Sequence, residues 1–276
     1  MRVTAALVGG ILLACLLGGC GGGHSSDDED RGTLAVTVNQ GGGALQGALV
    51  VATGAGAGAG SSQYMASSDA NGVARLSDLP DGIYSVAASR SVGANLFVGS
   101  GGVLVVSANA VTTASIDVTD AGPDHLPLSL GNEWTFDSMT LSVQSTKQIG
   151  AVSAFALART TGGRPFYLAR GANEVYCLGM QLSDGSDRIY RPAVVFFSTV
   201  LGEDLATLPD WGTVTVLSRS ATVGVPAGQF SDCIEIALTH DGLEERWYLA
   251  PGVGPCMIEM LGVGGAVARL SSYVLH

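Results

Sequence analysis

The chain has 276 residues, 47% hydrophobic and 13% charged, enough apolar material for one large or two average domains and too much for a disordered protein. Its formal net charge is −11 and it carries a single lysine, Lys147. That balance argues against nucleic acid as a partner, because phosphate binding needs clustered Lys and Arg, and against peripheral attraction to anionic lipid for the same reason.

Met1-Arg2 supplies one positive charge, and Val3 to Gly19 follows uncharged and mostly apolar, the layout of a secretory signal. The stretch is too short and glycine-rich to span a membrane comfortably, which takes about 20 apolar residues. It ends in Leu17-Gly18-Gly19-Cys20, which resembles the lipobox of bacterial lipoproteins. The resemblance implies that residues 1–19 are a signal peptide removed before Cys20. The Cys20 thiol then receives a diacylglycerol, which makes a membrane the partner through that anchor. Leu12-Leu13-Ala14-Cys15 fits less well, since a bulky residue stands beside the small one and the apolar region would be shortened. Two or more acyl chains make such an anchor stable. Residue 21 is Gly, not the Asp that retains many lipoproteins at the inner membrane, so an outer-membrane address in the cell envelope is expected. Residues 20–31, with Gly21-Gly22-Gly23 and Asp27-Asp28-Glu29-Asp30, read as a flexible acidic tether.

Beyond the tether no sustained apolar period of 3.6 appears, and many short runs alternate, which predicts an all-β protein. In residues 32–120, strands are expected over 32–38, 45–51, 73–77, 85–88, 103–106 and 112–118. The turns between them are marked by Gln40-Gly41-Gly42-Gly43, Ser68-Asp69-Ala70-Asn71-Gly72 and Leu79-Pro80-Asp81-Gly82. About seven short strands in under 90 residues is the count and spacing of a β-sandwich. Gly47-Ala48-Leu49-Val50, Asp69-Ala70-Asn71-Gly72 and Leu79-Pro80-Asp81-Gly82-Ile83-Tyr84, in that order, resemble the carboxypeptidase regulatory-like (transthyretin-like) domain. The resemblance implies a prealbumin-like sandwich related to carbohydrate-binding folds. It does not imply peptidase activity, since the zinc catalytic unit of that family is a separate domain with no counterpart here. Gly82 and Tyr84 are expected to fix a turn and the core.

Asp120-Ala121-Gly122-Pro123-Asp124 reads as a short linker to a second module, residues 124–276. Strands are expected over 135–145, 151–159, 166–169, 174–182, 188–197, 213–219, 229–239, 245–250, 256–261 and 267–275. Asp241-Gly242 is the strongest hairpin signal among them. About ten antiparallel strands suggest a curved sheet or partial barrel. Three segments, Pro127 to Trp134, Val225 to Cys233 and Trp247 to Gly254, resemble a β-rich module of bacterial lipoproteins. Its wider relatives include curved sheets that hold lipids. Pro255-Cys256 stands where those relatives continue in a Val or Lys strand, so no role for Cys256 is carried over. Trp134, Trp211 and Trp247 are candidates to line a concave face, although aromatic residues more often anchor a core.

After Cys20 the cysteines are Cys177, Cys233 and Cys256, which an oxidising compartment could join by one of three pairings. In a regular meander Cys233 and Cys256 lie two strands apart, about 9.6 Å at about 4.8 Å per strand. A disulfide needs Cα atoms within roughly 7 Å, so no bond between them is expected in one flat sheet. No nucleophile elbow, phosphate loop, His-Glu-x-x-His or paired metal cysteines occur, and no cofactor is expected. The four histidines, His24, His125, His240 and His276, sit in the tether, the linker, a turn and the terminus. The function expected is therefore non-catalytic: an envelope lipoprotein that contacts glycan, protein or cell wall. Alternatives are a carrier of a lipid or other apolar ligand in the second module, or an accessory subunit of an envelope enzyme or export complex.

Overall fold

The computed structural model describes residues 31–55, 62–160, 163–200, 205–209, 211–262 and 265–276. The signal segment, the lipobox residues Leu17, Gly18, Gly19 and Cys20, and the tether up to Asp30 lie outside the described residues. Among those described the chain forms twenty strands and no helix.

The first eight are β1 (Arg31–Gln40), β2 (Gly43–Ala44), β3 (Leu49–Ala55), β4 (Gln63–Ser67), β5 (Val73–Pro80), β6 (Gly82–Val92), β7 (Asn95–Val106) and β8 (Val111–Pro123). Strand β1 pairs antiparallel with β5 and parallel with β8, while β4-β3-β6-β7 forms an antiparallel layer joined to β8 along one edge. The strict alternation of Leu34, Val36 and Val38 on β1 sends all three into the space between the layers, where each is fully buried. They meet Val50, Ala52, Leu76, Leu79, Val86, Ile116 and Tyr84 there. Each fully buried aliphatic side chain contributes about 2 kcal/mol. The result is the expected sandwich.

The motif residues of this module fix turns and core. Asp69 Oδ1 accepts the Asn71 and Val73 amides at 2.8 and 2.9 Å, closing the turn before β5. Tyr84 is buried, and its hydroxyl donates to the Pro80 carbonyl at 2.7 Å.

The other twelve strands are β9 (Glu133–Phe136), β10 (Thr140–Ile149), β11 (Val152–Arg159), β12 (Phe166–Arg170), β13 (Glu174–Gln181), β14 (Asp187–Ser198), β15 (Leu205–Leu208), β16 (Gly212–Val225), β17 (Gly228–His240), β18 (Leu243–Ala250), β19 (Gly254–Leu261) and β20 (Val267–Val274). They form one antiparallel sheet in the order β14-β13-β12-β11-β10-β9-β20-β19-β18-β17-β16-β15. The sheet coils until its two ends, β14 and β15, lie beside each other. That seam is lined by Val194, Phe196, Leu205, Val214 and Val216 in place of ladder hydrogen bonds. One residue in two points inward, and Leu141, Leu157, Leu168, Phe196, Ile236, Leu249, Ile258 and Leu270 fill the interior.

The outward positions on β11 to β13 are apolar too, which a solvent-facing strand would not be. Val152, Ala154, Ala156, Tyr167, Ala169, Tyr176 and Leu178 pack against Leu49, Val51 and Met65 of the sandwich. The Ser67 amide donates to the Ala151 carbonyl across this joint at 2.9 Å. Residues 120–124 are accordingly no free linker. Strand β8 runs through them to Pro123, and Asp124 is fully buried. Asp124 Oδ1 meets Arg170 Nε at 2.9 Å, and Oδ2 accepts from the Ser91 hydroxyl at 2.6 Å. The remaining guanidinium donors reach the carbonyls of Gly171 and Glu174 at 2.8 and 3.0 Å. A buried pair needs this full set of partners to offset its lost hydration.

Candidate functional site

The interior of the second module is packed along most of its length and opens at one end. Three strands carry their inward alternation past the apolar core at that end, and the residue type changes there. On β11 Leu157 is followed inward by Arg159, on β17 Leu238 by His240, and on β18 Trp247 is preceded by Glu245. The β17–β18 hairpin places the last two. Asp241 and Gly242 both have positive φ, 51° and 75°, as a two-residue type I′ turn requires. His240 pairs with Leu243 across it.

These side chains surround a cup of about 300 Å³. Its floor is Leu141, Leu157, Met180 and Leu238, and its wall includes Phe166, Trp211 and Trp247. Arg159, Arg164, His240, Asp241 and Glu245 make the rim. Arg159 Nη2 lies 2.6 Å from Glu245 Oε2, and the same carboxylate oxygen accepts from Trp247 Nε1 at 3.1 Å. Trp211 stacks on the His240 ring at 4.6 Å between centroids and 25° between planes, and meets Phe166 edge-on at 5.2 Å. The half-buried ion pair thus orients Trp247, while the His240 stack fixes Trp211. Such a cup can enclose an apolar or aromatic body and hydrogen-bond one polar group at its rim. Its lining holds no hydroxyl, thiol or amine nucleophile.

Of the three tryptophans singled out from sequence, Trp211 and Trp247 come together here and Trp134 does not. Trp134 is fully buried in the core, with Nε1 donating to the Val253 carbonyl at 2.6 Å. Arg159, Glu245 and His240 had been missed or read as turn decoration. Their inward parity was present in the alternation of β11, β17 and β18, but the charged ends hid it. Among the described residues no group of three or more His, Cys, Asp or Glu could hold a metal ion.

Two further polar clusters lie on outer faces. Tyr248 stands between Glu235 and Glu259, at 3.2 and 3.3 Å, and burial with those two carboxylates pushes its phenol up to about 12. Asp187 bonds both Lys147 and the Tyr167 hydroxyl, and those bonds hold its carboxyl below the usual range. Both tie neighbouring strands together as cross-strand pairs do.

No family model and no curated protein matches the chain. Two solved structures show a distant likeness at 13% identity. One is fervidolysin from Fervidobacterium pennivorans, a keratinolytic enzyme related to subtilisin, with 86% of this chain and 31% of that one covered and a TM-score of 0.28. The chain thus spans about a third of fervidolysin's length. The other is a DUF3823 family protein from Parabacteroides merdae, with 90% and 99% covered and a TM-score of 0.25. Neither superposition is close enough to transfer a function.

Proposed function

We propose that the chain is an envelope lipoprotein, tethered to a membrane through Cys20, whose second module binds a small molecule in the open end of its coiled sheet. The observation that carries the binding role is the cup itself. It is a concave site of about 300 Å³ with an aromatic wall and an inward ion pair, at the end of an otherwise filled interior. That volume is at the small end of the roughly 300–1,000 Å³ typical of ligand sites, which favours a compact ligand over a two-chain lipid. Leu17-Gly18-Gly19-Cys20, at the end of an apolar stretch, supports the anchor and the outer-membrane address. The ordered turn motifs support a carboxypeptidase regulatory-like identity for the sandwich, which serves as a platform holding the binding module away from the membrane.

Two experiments test this. Labelling with a radioactive fatty acid is expected in the wild type and lost in Cys20→Ala; undiminished labelling of the variant overturns the anchor site. Native mass spectrometry of protein purified from membranes is expected to show a compact co-purified molecule, whereas a recurrent diacyl lipid would replace this reading with lipid carriage. With anilinonaphthalene sulfonate as probe, saturable one-site fluorescence is expected, weakened about tenfold in Trp211→Ala by the loss of one aromatic wall. Equal binding by the folded variant would mean that the cup is not the site.

A further inference from the structure

Cys233 and Cys256 lie on β17 and β19, with β18 between them. The meander is the expected one, yet the thiols hydrogen-bond one another. Two irregularities bring them together. Cys233 stands just before the first β17–β18 pair, Ile234 with Leu249, so it lies where β18 is running out. Cys256 is the bulged residue of β19, skipped between the pairs Leu249–Pro255 and Tyr248–Met257. A bulge re-aims its side chain and bends the strand, and the sheet is coiled, so the flat-sheet spacing does not apply. Both side chains are fully buried in the same core. Cys177 is also buried, with Sγ donating to the Gly179 carbonyl at 3.3 Å, and burial pushes its thiol up to about 12.

We propose that Cys233 and Cys256 are a disulfide site, oxidised as the exported chain folds, with Cys177 left as the inert thiol. The compartment rests on the lipoprotein reading; the geometry does not. The oxidant is a protein or small-molecule disulfide. The Cys233 thiolate attacks one of its sulfurs, forming a mixed disulfide and releasing one thiol. The Cys256 thiolate then attacks the Cys233 sulfur and expels the second. In balance, two chain thiols and one oxidant disulfide become one chain disulfide and two oxidant thiols. The hydrogen bond from Cys256 lowers the Cys233 thiol, while that pairing and burial raise Cys256, so Cys233 is the sulfur that ionises first. Since the native core excludes both from solvent, the exchange belongs to a stage before the sheet closes.

The test uses the full chain in two settings. Purified protein is unfolded, reduced and refolded in an oxidised glutathione buffer, then denatured and alkylated without reduction. The expected product lacks two hydrogens, contains a linked Cys233–Cys256 peptide and leaves Cys177 alkylated. The linked protein should melt roughly 10 °C above the reduced wild type, from closure of the intervening loop. Cys177→Ala should keep the link and Cys233→Ser should lose it. Alkylation of both Cys233 and Cys256, or a link through Cys177, overturns the proposal. The same mapping on protein from cells separates the two readings. A link formed in glutathione but absent from cell material overturns the export reading and leaves the site standing.

Discussion

Replacing Arg170 by Met would remove the cation that faces Asp124 and keep most of the side-chain volume. Both partners are almost wholly buried, at 4% and 0% side-chain exposure. After the change the carboxylate retains only the Ser91 hydroxyl at 2.6 Å and the Leu126 amide at 3.1 Å. Stranding one member of a buried pair costs about 3–5 kcal/mol, and a chain of this length loses about 2–4 °C of Tm per kcal/mol. Calorimetry of the folded protein should therefore show a fall of roughly 10 °C for Arg170→Met. The companion Asp124→Leu strands the guanidinium and should fall comparably. The double variant Asp124→Leu/Arg170→Met should recover most of the loss, because two apolar groups leave no buried charge behind. As a control, Arg246→Met breaks the exposed pair with Glu244 at 2.9 Å and should cost under about 1 kcal/mol. A shift of under about 1 kcal/mol for Arg170→Met itself would refute the reasoning, since a partner worth so little cannot be compensating a desolvated carboxylate.

Gly254 has φ of 95°, and a methyl group there would fall 2.9 Å from the Trp134 ring; Gly254→Ala should cost about 2–4 kcal/mol by urea unfolding, from backbone strain and the disturbed Trp134–Val253 hydrogen bond. At the cup, Glu245→Ala leaves Arg159 and the Trp247 N–H without their acceptor, and should cost about 2 kcal/mol and shift the Trp247 fluorescence; an unchanged spectrum would show that the carboxylate does not hold the indole. Burial holds the His125 pKa below its usual 6.5, against the opposing pull of the Asp232 carbonyl and Asp124. Below that value the unfolded chain binds the extra proton first, so stability is full above pH 6.5 and falls as pH drops toward the folded pKa, by at most about 1.4 kcal/mol per pH unit. His125→Gln should flatten that slope in pH-dependent unfolding, and an identical slope would assign it to other groups.

Most strands could be read from alternation because one face of each meets a core and the other meets water. Asp241-Gly242 and Asp69 to Gly72 could be read because those turns need particular side chains. Strand β4 was not legible: Tyr64 and Met65 are half-buried on a short edge, behind a glycine-alanine run that gives no period. The joint between the modules escaped because β11 and β13 are apolar on both faces, so their second partner leaves no polar stripe to mark it. Arg170 looked like a strand end and Asp124 like part of a linker; only the fold shows that each buries the other's charge. The cup was half legible. Its tryptophans stood out by type, while Arg159, His240 and Glu245 converge from three strands whose approach no spacing records.

The seam between β14 and β15 bears on how copies of this protein behave when crowded together. An open sheet presents two rows of unused backbone donors and acceptors, and those rows template fibrils and strand exchange. Here the two rows are turned toward one another, with Phe196, Leu205 and Val216 wedged between them. A neighbour cannot add a strand without first prising that apolar strip open. A sheet this long, rich in valine and alanine and carrying one lysine, can therefore stay dispersed without the charged edge residues that open sheets rely on.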